Sequence, residues 1–66
     1  MRITFQGSGY DETIESENPI TIRKALAKAN IPESMVVVSY QDNILPHSTQ
    51  LEDDLVLLVT SVASGG

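Results

Sequence analysis

The chain predicts an α+β domain: one mixed sheet of about four to five strands packed on a single helix, in the order ββαβββ. Three observations predict it. The opening Met1–Gln6 alternates apolar and polar residues with period two, one segment near Thr21–Asn30 carries a helical period, and the closing Leu55–Val62 is the most apolar run in the chain. Because one helix can cover only one face of one sheet, the expected architecture is a roll with a single core between helix and sheet. The 66 residues make one domain, predicted over 1–62 and followed by a flexible tail over 63–66.

The first strand should turn Met1, Ile3 and Phe5 inward. Gly7-Ser8-Gly9 supplies the chemistry of a tight reversal, and Asp11–Ser16 returns as a second, acidic strand carrying Thr13 and Ile14. Asn18-Pro19 then breaks the chain. Thr21 is placed to cap a helix over Thr21–Asn30, whose Ile22, Ala25, Leu26 and Ala29 form one buried face while Arg23, Lys24 and Lys28 point to water. Asn30 and Pro32 end it, since Asn tolerates a left-handed backbone and Pro cannot continue the hydrogen-bond ladder. Met35–Tyr40 is rich in β-branched residues and reads as a third strand. The turn Gln41-Asp42-Asn43 leads to a short fourth strand, Ile44-Leu45, that stops at Pro46. Past a loop over His47–Gln50, Leu51 should plug the core ahead of the acidic corner Glu52-Asp53-Asp54. The last strand, Leu55–Val62, suits a central position beside the first.

Composition narrows the function classes. A content of 41% hydrophobic and 20% charged residues belongs to a folded globule. Cysteine is absent and His47 is the only imidazole, so no disulfide, thiol nucleophile or ordinary zinc site is expected, and an enzyme is disfavoured. A formal net charge of −5 opposes binding to nucleic acid or anionic lipid and points to a protein partner with a basic surface. The longest apolar run, Leu55–Val59, is too short to cross a bilayer, and no leader opens the chain. A soluble, cytoplasmic monomer is expected.

The terminal Gly65-Gly66 admits two readings. It is a frayed end, or it is a carboxyl group carried on the two residues least able to obstruct entry into a narrow active site. A carboxylate does not react unaided with amines or sulfur donors, so the second reading requires activation by ATP and magnesium on another protein. Alternation in the last strand bears on the choice. It places Leu55, Leu57 and Val59 on one side and Val56, Leu58 and Thr60 on the other, and one set has no helix to cover it. With Val37 alongside, the uncovered face carries an apolar cluster that ends at Val62 and the tail. It is ordinary sheet surface or a docking site for a partner.

The strand order, the segment Ile44–Asp54 with its Pro46-x-x-Thr49-x-Leu51-x-Asp53 pattern, the closing strand and Ser64-Gly65-Gly66 together resemble the β-grasp ubiquitin-like proteins. Within them, the chain is most similar to the prokaryotic sulfur carriers, such as the small subunit of molybdopterin synthase and the thiamine sulfur carrier, and to the small archaeal modifier proteins. The resemblance covers essentially the whole chain. It implies a carried acyl group and not an enzyme: Gly66, presented with Gly65, is adenylated by a ubiquitin-activating-type enzyme that uses ATP and magnesium. A thiocarboxylate then forms and feeds molybdopterin, thiamine or tRNA thiolation through a sulfur-acceptor enzyme, or an isopeptide bond joins Gly66 to target protein lysines. The sulfur and tagging fates stay open. Val37, Val56, Leu58, Thr60 and Val62 would dock on the activating enzyme. The alternative is a noncovalent interaction module using the same face, with an incidental tail. The chain departs from the family at Asp42-Asn43, where relatives often have Asn-Gly, and in lacking a Gly between Asp53 and Asp54. No residue follows Gly66 in the chain as given, so no maturing protease is expected unless residues have been trimmed behind it.

The remaining chemistry-bearing residues have plain readings. His47 lacks visible partners and reads as a solvated loop residue. Asp11, Glu12, Glu15 and Glu17 lack the spacing of a calcium loop and read as an acidic edge that discourages pairing between sheets. Lys24 and Lys28, four apart on the exposed helix face, either accept another copy's carboxyl end or simply aid solubility. Tyr10 and Tyr40 are too isolated to stack nucleic-acid bases.

Overall fold

The structure, a computed structural model, describes residues 1–62. The tail over 63–66, including Gly65 and Gly66, lies outside the described residues. The elements in chain order are strands β1 (Arg2–Gly7), β2 (Tyr10–Glu15) and β3 (Ile20–Thr21), helix α1 (Ile22–Lys28), a 3-10 turn (Glu33–Met35), and strands β4 (Val36–Tyr40), β5 (Asn43–Leu45), β6 (Gln50–Leu51) and β7 (Leu55–Ser61).

Five strands form one mixed sheet in the order β2-β1-β7-β4-β5. The first and last strands lie side by side and parallel, with Ile3 beside Leu55 and Gln6 beside Leu58, while the other neighbours run antiparallel. The most apolar strand thus takes the middle, where both its edges are paired. Asp54 fastens this pairing, its Oδ1 accepting the Arg2 N–H at 2.6 Å.

Period-two alternation sends Ile3, Phe5, Val36, Val38, Leu57 and Val59 to one face, and the helix lays Ile22, Ala25 and Leu26 on it. Ile14, Ile31 and Leu51 close the margins, and Met1 and Leu55 pack partly against the same core. Two tight reversals set the register. Both have positive φ at their central residues, Ser8-Gly9 (48° and 83°) and Gln41-Asp42 (50° and 67°), as a type I′ turn between twisted strands requires.

The helix is shorter than its predicted span Thr21–Asn30. Thr21 is its N-cap, the side chain accepting from the Lys24 N–H, and regular helix stops at Lys28. Asn30 turns left-handed at φ 60°. Its N–H then donates to Ala27 and that of Ile31 to the Leu26 carbonyl, which satisfies the last orphan carbonyls in a Schellman ending. The free amides of the first turn find carbonyls in the loop predicted over His47–Gln50: Ile22 N–H donates to Thr49 and Arg23 N–H to His47.

That contact explains the largest addition to the predicted order. β3 and β6 form a second, two-stranded sheet, Ile20 opposite Leu51 and Thr21 opposite Gln50. Two-residue strands carry no periodic signal, so only their pairing reveals them. Leu51 does plug the core. Smaller boundary shifts concern β2, which begins at Tyr10 because Tyr10 closes the hairpin opposite Gly7, and Met35, which belongs to the 3-10 turn and not to the third strand.

Candidate functional site

The helix covers one face of the five-stranded sheet; the other face is open and apolar along its middle. In β7, Val56 is 57% and Leu58 54% exposed, alternating with fully buried Leu57 and Val59. Cross-strand pairing arranges their neighbours. Leu58 stands between Gln6 of β1 and Ser39 of β4, and Ser39 in turn faces Ile44 of β5, the most exposed large aliphatic at 73%. With strands about 4.8 Å apart, Ile44 and Leu58 stand about 10 Å from each other across a small serine. The result is a shallow notch with an aliphatic wall on either side. Val37 is half-buried on the same face opposite Thr60, which is exposed, and Val62 follows at 47% exposure.

The surround is polar. The Gln6 row continues to Asp11 on the edge strand, Thr4 Oγ1 and Thr13 Oγ1 sit 3.1 Å apart beside Val56, and Arg2 reaches Glu15 at 3.4 Å in an exposed pair. Arg2, Thr4, Asp54, Leu55 and Val56 line a depression of about 170 Å³ at one end of the patch. That is smaller than the roughly 300 Å³ or more of a drug-sized ligand site. Among the described residues, no group of three or more His, Cys, Asp or Glu side chains is arranged to hold a metal ion. Also among them, no helix is long and apolar enough to cross a membrane.

The structure therefore brings Val37, Val56, Leu58 and Thr60 onto one face, with Val62 at its end. Gly65 and Gly66 lie outside the described residues. Lys24 and Lys28 are exposed on the helix, on the opposite side of the sheet. Arg23 is exposed but not purely solvated, since its Nε lies 2.8 Å from Glu33 Oε2 on the 3-10 turn, an ion pair without the alignment of a hydrogen bond. His47 lies in the loop as expected, half-buried, and its carbonyl accepts the Arg23 N–H at the helix start. The acidic residues Asp11, Glu12 and Glu15 do lie on an edge strand, β2.

Ile44 is the residue that sequence reasoning left off the patch. A two-residue segment ending at Pro46 gives no phase to alternation, and only its pairing with Ser39 shows which way Ile44 faces. Comparison with protein-family models and with curated proteins finds no match for this chain.

Proposed function

We propose that this protein is a β-grasp, ubiquitin-like carrier or modifier that acts through the carboxyl group of Gly66 and docks through the open sheet face. One observation carries the proposal. The strand that displays Val56 and Leu58 on that face leads into Val62, four residues before Gly66 in the sequence, so a partner gripping the face holds the segment from which the chain end issues. The mixed sheet on a single helix, with its parallel first and last strands, supports the same reading.

In the reaction, a carboxylate oxygen of Gly66 attacks the α-phosphorus of ATP on a ubiquitin-activating-type enzyme, releasing pyrophosphate and leaving an acyl-adenylate. Magnesium on that enzyme neutralises the phosphates. A sulfide equivalent then displaces AMP to give a thiocarboxylate for a sulfur-acceptor enzyme. A target lysine amine instead loses a proton, displaces AMP and forms an isopeptide bond. This chain supplies no catalytic group. Its contributions are the docking face and an end free of side chains.

Incubating the full chain with ATP, magnesium and extract of the cell that makes it tests the reading. A thiocarboxylate appears as a mass gain of about 16 Da on the C-terminal fragment, and tagging appears as a Gly-Gly remnant on lysines of other proteins. Removal of Gly65-Gly66 is expected to leave the fold intact and abolish both. If the shortened chain is modified as before, the carrier reading is wrong; if it binds its partner as before and the intact chain is never activated, the protein is a noncovalent module.

A further inference from the structure

Beyond Leu58, β7 outruns β1, and its backbone on that side loses its strand partner: parallel pairing covers Leu55–Leu58 only, while β4 accompanies β7 to Ser61. The turn between β1 and β2 fills the gap. Ser8 Oγ accepts the Ser61 N–H at 2.9 Å, across 53 residues of chain. Gly7 brings the turn this close: a Cβ there would meet the Val59 carbonyl oxygen at 2.4 Å and Leu58 Cδ1 at 2.9 Å. On the opposite side, the next amide, Val62 N–H, donates to the Met35 carbonyl at 2.9 Å. Consecutive amides at the exit of β7 are thus held by different loops.

We propose that Ser8 is a positioning residue, its hydroxyl clamping the stem from which Gly66 is presented. This deepens the carrier reading and rests on it. With the stem held at Ser61 and Val62, the ordering needed when the end enters an active site is confined to the residues beyond. Four residues span at most about 14 Å, so the clamp also limits how far the activating centre lies from Val62. Without Ser8 Oγ only β4 and the Met35 carbonyl hold the stem, on one side, so its end opens more often, and each residue freed adds ordering entropy on the scale of a tenfold change in affinity.

Ser8→Gly removes the acceptor without strain, because Gly takes the φ of 48° freely. Ser8→Asn tolerates the same backbone and restores an acceptor oxygen. Amide hydrogen exchange is measured by NMR on the full chain. In S8G, Ser61 is expected to exchange about fivefold faster, with the core amides of Val38 and Leu57 unchanged, and in S8N protection returns. The rate of Gly66 conversion in source-cell extract, followed against chain concentration, should show KM raised about tenfold in S8G with kcat unchanged. Unaltered Ser61 exchange in S8G overturns the clamp whatever the fate of the carrier reading. Faster Ser61 exchange with unchanged conversion kinetics overturns the positioning role. If the wild-type chain is never converted, the carrier reading fails and the positioning role with it, while Ser61 exchange still judges the contact.

Discussion

Leu58 and Gly7 show how single positions divide between surface and scaffold. Leu58 lies over the turn glycine yet stays half exposed, so its side chain adds little to the core. Leu58→Asp is expected to shift the melting temperature by no more than a few degrees while weakening partner binding at least about tenfold, as loss of a central interface anchor does. Calorimetric titration of the variant with its partner checks this; undiminished affinity would remove the face from the site. Gly7 is the converse case. Its φ of 121° and the 2.4 Å approach of a Cβ to the Val59 carbonyl mean that Gly7→Ala should cost about 2 kcal/mol or more in urea unfolding. Gly9→Ala, whose Cβ meets nothing within 4 Å but which also has positive φ, should cost only about 1 kcal/mol.

At the scale of elements, the turn Gln41-Asp42 stores strain that the chain could shed. Both residues are left-handed and neither is Gly, so Asp42→Gly is expected to stabilise the domain by about 0.5 to 1 kcal/mol, read from the denaturation midpoint. The helix makes the complementary case: Thr21→Ala removes the acceptor of the Lys24 N–H and should cost about 1 kcal/mol. Most of these elements were legible in the chain. Alternation marked β1 and β7, the cap and the Asn30-x-Pro32 ending marked the helix, and each is set by neighbours a few residues away. β3, β6 and the orientation of Ile44 were not legible, because each depends on a partner strand distant in sequence and is too short to carry a period of its own.

At the scale of the molecule, a 66-residue domain holds only a few kcal/mol of net stability. Phe5 is fully buried on a strand paired on both sides, so Phe5→Ala, which costs about 3 to 5 kcal/mol in a packed core, should leave the chain largely unfolded by far-ultraviolet circular dichroism. The net charge of −5 favours a partner with a basic rim. Its association rate should fall about tenfold from low to physiological salt; insensitivity to salt would mean that the charges lie away from the interface.

The amino-acid order alone determined the alternation of β1 and β7, the buried face and the N-cap of the helix, and where the chain reverses, since these follow from local periodicity and backbone preference. The central place of β7 beside β1 was also foreseen, but only the tertiary structure decided that β4 is its other neighbour, that Ile44 joins Leu58 across Ser39, that Asp54 fastens the start of β1, and that Ser8 holds the exit of β7. Those pairings join segments far apart in the chain, and burial of one shared core selects them, which no local pattern can encode.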